Sequence, residues 1–243
     1  MKSKIYNCFA LFYDYIYKGY HKRILSLLED YFGSIKGENK TILDIGCGTG
    51  EFLLEMVKNG WRGVGIDASA EMIKIARGKI LHDDTPCKFF VQNMESIKLH
   101  GQYNMITCNF DTINYILRKG KVLSLFKNVY QLLKPEGYFI FDIITPFQCK
   151  NFSGKFKYQF EKFHLNMIVV YNKDTRIKTI IMELSNNSVN CKEIHKQRCY
   201  EIEEIKDLLL KSRFNIKEIW DIESKKSKMV NLKTTRAFFI VQK

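Results

Sequence analysis

Residues 41–50 read TILDIGCGTG and are followed directly by the helix-forming run EFLLEMVKN. A short apolar β run ends at Asp44, and three glycines then occupy every second position, Gly46, Gly48 and Gly50. Glycine permits positive φ angles and lets a ligand approach the backbone. The start of a helix adds free N–H groups and a partial positive charge. The stretch therefore predicts a strand, a glycine loop and a helix that together bind a nucleotide-like ligand.

The spacing of these glycines decides which ligand the loop suits. A dinucleotide-binding loop reads G-x-G-x-x-G, and a P-loop reads G-x-x-x-x-G-K-[ST]. Here the third glycine comes one position early, and Glu51 stands in the place that it should occupy. A carboxylate there is unfavourable beside a pyrophosphate, whereas it suits a ligand that carries an amine or a sulfonium.

The segment D-I-G-C-G-T-G (44–50) resembles motif I of the class I S-adenosylmethionine (SAM)-dependent methyltransferases. The resemblance implies SAM as methyl donor and S-adenosylhomocysteine as product. It also implies a Rossmann-like, doubly wound, seven-stranded sheet. It is strong over residues 38–146 and extends in outline over 195–243. An ordinary tight turn with helix-packing glycines is the alternative interpretation.

Strand-like and helix-like runs alternate along the chain up to residue 144. The predicted strands are 41–45, 63–67, 87–92, 103–109 and 138–144, and the predicted helices are 20–32, 50–59, 69–80 and 119–133. Such alternation with short loops predicts a parallel α/β sheet with helices on both faces. The ligand is then expected at the carboxyl ends of the strands.

After Pro146 the pattern changes to long runs in which apolar and polar residues alternate. The runs HLNMIVVYNK, RIKTIIMEL and KEIHKQRCYEI predict an antiparallel β insertion after strand five. A helix at 201–212 and strands at 214–222 and 236–242 follow. We therefore expect a helical cap (1–37), a SAM-binding core (38–149 and 201–243) and an inserted lid over the acceptor (150–200).

The end of the second strand carries the residues expected to hold the nucleoside part of SAM. Asp67 lies 21 residues beyond Gly46, the position of a carboxylate that accepts hydrogen bonds from both ribose hydroxyls. A helix-capping acid is the alternative role. The resemblance implies that the small Ala68 lets the adenine lie flat and that Met72 flanks the ring; a core residue is the alternative role of Met72.

Asn93 and Met94 follow the third strand, where the family commonly has an aspartate that accepts from the adenine amino group. Asn93 keeps a carbonyl acceptor, and the N–H of Met94 is expected to reach a ring nitrogen. A turn asparagine is the alternative. Cys47 is interpreted as a small residue that fits the loop. The SAM-binding residues implied are Tyr13, Asp44, Gly46, Cys47, Gly48, Asp67, Ala68, Met72, Asn93, Met94, Asn109 and Phe110.

Residues 109–115 (NFDTINY) resemble the D-S-x-N-Y segment of a group of bacterial small-molecule methyltransferases. The resemblance places Asn109 and Phe110 near the methionine part of SAM. Asp111 and Tyr115 are candidate catalytic residues because a methyl acceptor must lose a proton. Alignment of the reacting atoms is an alternative source of rate, and Asp111 could instead cap the next helix.

Two further segments contribute candidate residues. His195 lies on the last inserted strand and suits a general base at neutral pH if it faces inward; a structural histidine is the alternative. The tyrosine-rich stretch 11–20 resembles a segment that folds over SAM, so Tyr13 and Tyr6 could cover the methionine end and exclude water. An amphipathic helix packed on the sheet is the other interpretation.

The formal net charge of +13 is concentrated in residues 151–243, which carry 19 basic and 11 acidic side chains and include KKSK at 225–228. An anionic or nucleic-acid acceptor would suit such a surface. The lysines are scattered, however, and no RNA-binding signature occurs. No N/D-P-P-Y/F tetrad follows the fourth strand, where residues 109–112 read NFDT. Nucleic acid is therefore the less favoured partner.

The remaining composition excludes several classes. Seven cysteines without C-x-x-C spacing predict reduced thiols and a cytoplasmic protein. No His/Cys/Asp cluster has metal-ligand spacing, so we predict no metal. No apolar run reaches the roughly 18 residues of a membrane span. The length suits one large domain, as a monomer or a homodimer.

The leading hypothesis is a SAM-dependent methyltransferase that moves a methyl group by in-line displacement to an N or O of a small molecule. Two alternatives stay open: an RNA or protein methyltransferase that docks through the basic C-terminal third, and a non-catalytic SAM-binding module. An oxidoreductase is disfavoured by Glu51 and by the glycine spacing.

Overall fold

The computed structural model describes residues 5–33, 36–82, 84–186, 188–223 and 229–243, so the run 225–228 lies outside the described residues. The strands are β1 (Thr41–Ile45), β2 (Arg62–Asp67), β3 (Cys87–Val91), β4 (Tyr103–Cys108), β5 (Leu133–Ile144), β6 (Gly154–Gln159), β7 (His164–Asn172), β8 (Ile177–Ser185), β9 (Asn190–Arg198), β10 (Asn215–Asp221) and β11 (Arg236–Gln242). The α-helices are α1 (Ala10–Ile16), α2 (Tyr20–Phe32), α3 (Glu51–Lys58), α4 (Ala70–Gly78), α5 (Lys119–Leu132), α6 (Pro146–Asn151) and α7 (Ile202–Lys211).

Seven strands form the main sheet in the order β10-β11-β5-β4-β1-β2-β3. Strands β1 to β5 all run parallel, while β11 is antiparallel to both of its neighbours, β5 and β10. This confirms the predicted Rossmann-like sheet with a reversed hairpin at one edge. Strand order reverses between β1 and β4, and a ligand of an open α/β sheet binds at such a point.

The main sheet is covered on both faces, as buried parallel strands require. Two neighbouring residues of β1 show this directly. Leu43 is part of the hydrophobic core on one face, with Phe126 and Phe141, and Ile42 is part of the core on the other face, with Leu53. All of these side chains are at most 4% exposed. The loops at the carboxyl ends of the strands are thus held by a rigid core.

Strands β6 to β9 form a separate antiparallel sheet in chain order, which confirms the predicted insertion after strand five. Its inner face buries Leu165, Met182 and Leu184 against Phe9 and Phe12 of the N-terminal segment. The N-terminal segment and the inserted sheet therefore share one apolar cluster on the ligand side of the core.

One strand was missed and another begins earlier than predicted. Strand β6 was missed because most of its side chains are exposed, so the sequence KFKYQ has no buried stripe. Strand β5 begins at Leu133 rather than 138, since Leu133 pairs with Tyr103 and the turn at Glu136 (φ 62°) lies within the strand. Neither difference moves the carboxyl end of a parallel strand.

The prediction of seven reduced cysteines was wrong for four of them. Cys8 is disulfide-bonded to Cys191, and Cys149 to Cys199, across 183 and 50 residues of sequence. These pairs arise because the N-terminal segment and α6 both pack against β9, which spacing along the chain could not indicate. Within the described ranges, no helix is long and apolar enough to cross a membrane.

Candidate active site

The glycine loop between β1 and α3 adopts the backbone that its sequence predicts. Gly46, Gly48 and Gly50 have φ angles of 70°, 53° and 79°, a region that favours glycine. A side chain at Gly46 would collide with Thr112, and one at Gly50 would place its Cβ 2.6 Å from Cζ of Phe89. The loop therefore needs glycine both for conformation and for space.

Asp67 lies at the carboxyl end of β2 and is fixed against the glycine loop. Its Oδ2 accepts from the backbone N–H of Gly48 at 3.0 Å, and its Oδ1 accepts from that of Ser69 at 2.8 Å. Burial raises the pKa of Asp67, and these backbone hydrogen bonds oppose the rise. One carboxylate thus joins the loop after β1 to the start of α4.

A cavity of about 510 Å³ opens beside this carboxylate. Ten of the residues predicted for the site line it: Tyr13, Gly46, Gly48, Asp67, Ala68, Met72, Asn93, Met94, Phe110 and Tyr115. Asn93 also uses its Oδ1 to accept from the N–H of Glu95 at 2.8 Å, as a turn asparagine does. Contact of these residues with SAM remains a prediction.

A smaller cavity of about 40 Å³ adjoins the first and is lined by the other predicted SAM-binding residues, Asp44, Cys47 and Asn109. The side-chain Nδ2 and Oδ1 of Asn109 are both buried without a hydrogen-bond partner among the described residues. An unpaired buried amide is costly. A ligand with charged donors and acceptors, such as the amino-acid part of SAM, fits this site because it would satisfy both atoms.

Two acidic residues beside the smaller cavity differ in their partners. Glu51, expected to face a cationic ligand, forms an ion pair with Lys79 at 2.9 Å and contacts His21 at 3.3 Å. Asp44 is 3% exposed and accepts from Oγ1 of Thr107 at 2.7 Å. Burial raises the pKa of Asp44 to about 7, so this carboxyl is poised to change its protonation state near neutral pH.

Tyr115 and His195, two of the three predicted catalytic residues, lie together. Oη of Tyr115 is 2.9 Å from Nδ1 of His195 and 2.7 Å from Oη of Tyr6. Nε2 of His195 is in turn 2.9 Å from Oε2 of Glu193. Sequence reasoning missed Glu193, although the period of two along a strand places Glu193 and His195 on the same face.

Asp111, the third predicted catalytic residue, is engaged elsewhere. Its carboxylate is 2.8 Å from Nη2 of Arg236 and also accepts from Gln197. Asp142, which also contacts Arg236, accepts from the backbone N–H groups of Phe110 and Asp111 at 2.6 and 2.9 Å. Both loop residues have positive φ angles, 60° and 48°. This cluster therefore holds the loop after β4 in place.

The strand order, the glycine loop and the acid at the end of β2 define a class I methyltransferase fold, and comparisons with known proteins agree. Residues 42–137 match a family described as a methyltransferase domain. A Geobacillus protein named as a candidate methyltransferase is 26% identical over 228 residues, or 88% of this chain and 90% of the relative.

Solved structures show the same fold over the whole chain. A SAM-dependent methyltransferase from Clostridium acetobutylicum has a TM-score of 0.81 at 23% identity, covering 98% of this chain and 99% of that one. A SAM-bound amino pentose methyltransferase from Micromonospora echinaspora has a TM-score of 0.71 at 14% identity, covering 100% and 99%. The resemblance to class I SAM-dependent methyltransferases is thus confirmed by the shared fold and by the methyltransferase-domain match over residues 42–137.

Proposed function

We propose that this SAM-dependent methyltransferase acts on an N or O atom of a small molecule. One observation carries the proposal: the cavity lined by Gly48 and Asp67 is also lined by two tyrosines, Tyr6 and Tyr115. Its volume of about 510 Å³ lies within the range of small-ligand sites. The related amino pentose methyltransferase acts on a small acceptor, which supports the same class here.

Different residues around the two cavities are proposed to bind different parts of SAM. Asp67 would accept from the ribose hydroxyls, and Asn93 would receive the adenine amino group. The unpaired amide of Asn109 and the carboxyl of Asp44 would bind the amino-acid end. Because Asp67 also holds Gly48, the glycine loop and the ribose site are expected to form together.

SAM, when bound, would supply a methyl group on a sulfonium. The acceptor would attack the methyl carbon in line with the carbon–sulfur bond, and S-adenosylhomocysteine would leave. The protein must align the acceptor and accept its proton. We assign the proton transfer to Tyr115, which lines the cavity, and to His195, which is buried behind it and hydrogen-bonded to it. Asp111 is assigned to positioning of the β4 loop because Arg236 and Gln197 occupy its carboxylate.

The cellular setting is part of the same proposal. We place the enzyme in the cytoplasm, a compartment in which disulfides such as Cys8–Cys191 and Cys149–Cys199 are rare. A monomer and a homodimer both fit, and sedimentation distinguishes them. An RNA acceptor would instead require docking that weakens steeply with salt.

Calorimetry with SAM and S-adenosylhomocysteine tests the first half of this proposal. We expect binding by the wild type, loss of binding in Asp67→Ala, and no change in Asp207→Ala, which removes an exposed acid on α7. Absence of binding at millimolar SAM would reject the proposal. Product formation is then measured with amines, phenols, aminosugars, RNA and proteins. Turnover only with RNA or protein would reject the small-molecule class, and no turnover would favour a binding module.

A further inference from the structure

Four side chains form one continuous hydrogen-bonded line from the cavity into the interior. Oη of Tyr6 is 2.7 Å from Oη of Tyr115, which is 2.9 Å from Nδ1 of His195. Nε2 of His195 is 2.9 Å from Oε2 of Glu193. The two phenols line the cavity, whereas His195 and Glu193 are 1% and 2% exposed. The line therefore has a ligand end and a buried end.

The buried end is a carboxylate that is fully satisfied by donors. Besides His195, Glu193 accepts from the four backbone N–H groups of residues 6–9 at 2.8–3.0 Å. Burial raises the pKa of Glu193, but the hydrogen bonds from His195 and from the backbone of Phe9 outweigh it, and the pKa is about 2. Glu193 is thus ionised near neutral pH and can only accept hydrogen bonds.

An acceptor at one end fixes the direction of every hydrogen bond in the line. Nε2 of a neutral His195 must carry the proton, which leaves Nδ1 with a lone pair. Tyr115 then donates to Nδ1, and its oxygen accepts from Tyr6. Burial raises the pKa values of both phenols well above 10, so both keep their protons. The oxygen of Tyr6, a residue that lines the cavity, consequently keeps a lone pair that can accept a proton.

We propose that Glu193 is a positioning residue that sets the direction of a proton relay through His195, Tyr115 and Tyr6. The relay suits a methyl acceptor whose reacting atom carries a hydrogen, as a hydroxyl or an N–H. This inference rests on the proposed function of the same cavity. It adds the carboxylate that orients the histidine and the kind of atom that the site accepts.

The step balances without a further reactant. The bond between the methyl carbon and the acceptor O or N forms as the carbon–sulfur bond breaks, and that electron pair stays on sulfur. The acceptor proton moves to Tyr6, the Tyr6 proton to Tyr115, and the Tyr115 proton to Nδ1 of His195. The imidazolium that results lies against the carboxylate of Glu193, 2.9 Å away.

The same carboxylate links the relay to the N-terminal segment. Tyr6 contributes both a phenol to the line and a backbone N–H to Glu193 at 2.8 Å. Its backbone oxygen also accepts from Oγ of Ser69 at 2.7 Å. The relay is therefore complete only when residues 6–9 are hydrogen-bonded to Glu193, so docking of the N-terminal segment and assembly of the proton path are one event.

Long-range ¹H–¹⁵N correlation spectra of the whole protein labelled with [¹⁵N]histidine test the direction of the relay without an acceptor. The His195 ring signals are assigned by their loss in His195→Asn. We expect an unprotonated Nδ1 and a protonated Nε2 in the wild type. In Glu193→Gln the amide can donate to Nε2, so the population of the Nδ1-protonated form should rise. Glu183→Gln, an exposed carboxylate paired with Lys192 on the same sheet, should leave the spectrum unchanged.

A protonated Nδ1 in the wild type, or an unaltered His195 spectrum in Glu193→Gln, would overturn the proposal. If Glu193→Gln does not fold, the wild-type spectrum and Tyr115→Phe still decide it. Loss of the phenol should shift the Nδ1 resonance while Nε2 stays protonated, and an unmoved Nδ1 would contradict the contact. These outcomes do not depend on whether the protein binds SAM. A protein that does not bind SAM would instead reject the proposed function.

A double-mutant cycle measures the relay in turnover, with an acceptor found in the panel of small molecules. We expect Glu193→Gln to lower kcat by about 10²-fold, as for loss of general acid–base catalysis, with little change in KM for SAM. In a His195→Asn background the same substitution should have no further effect on kcat. Multiplicative losses would show that Glu193 acts independently of His195 and would overturn the proposal.

Discussion

Replacing Asp44 by asparagine is predicted to stabilise the ligand-free protein at alkaline pH. Asp44 is 3% exposed, and its Oδ1 accepts a hydrogen bond from Oγ1 of Thr107 at 2.7 Å. Within the described residues, no lysine, arginine or histidine forms an ion pair with it. Burial is the main cause that raises the pKa to about 7; Thr107 opposes the rise and Asp67 adds to it.

The size of the effect follows from the two pKa values. The difference between about 7 in the folded protein and 3.8 in the unfolded chain corresponds to about 4 kcal/mol. Because the pKa is higher in the folded protein, Asp44 does not lower the free energy of unfolding below about pH 4, where the carboxyl is protonated in both states. The cost grows as the pH rises toward about 7 and is fully present above it. Asparagine keeps the oxygen that accepts from Thr107 and never ionises.

Urea unfolding between pH 5 and pH 8 measures this difference. We expect Asp44→Asn to raise the free energy of unfolding by about 1.5 kcal/mol at pH 5 and by about 4 kcal/mol at pH 8. Asp207→Asn, an exposed acid on α7, should change neither value. A variant no more stable than the wild type at pH 8, or equally stabilised at both pH values, would refute the reasoning. Calorimetry should show weaker SAM binding, because the carboxylate is assigned to the ligand.

Three further substitutions test the framework of the site. Arg236→Met leaves the buried carboxylate of Asp142 and the partly buried one of Asp111 without their cation and should lower the free energy of unfolding in urea by about 3–5 kcal/mol. Gly50→Ala, at φ 79° and 2.6 Å from the Phe89 ring, should lower Tm by about 3–10 °C, whereas Gly78→Ala meets no atom within 4 Å and should not. Asn114→Ala removes three buried hydrogen bonds and should cost about 2–3 kcal/mol in the same urea assay; an unchanged midpoint would contradict its structural role.

Most of the core could be predicted because its signals are local. The strand that ends at Asp44, the loop at Gly46 and the acid at Asp67 lie on consecutive elements, so chain order alone places them at one sheet edge. The predicted helix over 20–32 and strand over 236–242 coincide with α2 and β11. Strand β6 escaped prediction because no face of it is buried.

The acceptor side of the site could be predicted from the sequence only in part. Asp111 and Tyr115 are neighbours in one short segment, yet one joins Arg236 and the other joins His195. The direction in which a loop side chain points depends on φ angles such as the 48° of Asp111, a region that few non-glycine residues adopt. The motif therefore identified the segment and not the partner of each polar group.

By itself the sequence determined the SAM-binding half of the protein, because a strand, a glycine loop and a helix are adjacent in the chain and carry their own periodicity. Only the tertiary structure decided the proton path. The backbone of Tyr6 meets Glu193 across 187 residues, and Tyr115 meets His195 across 80. Such contacts follow from how the N-terminal segment packs on an inserted sheet, and no local pattern of residues encodes that packing.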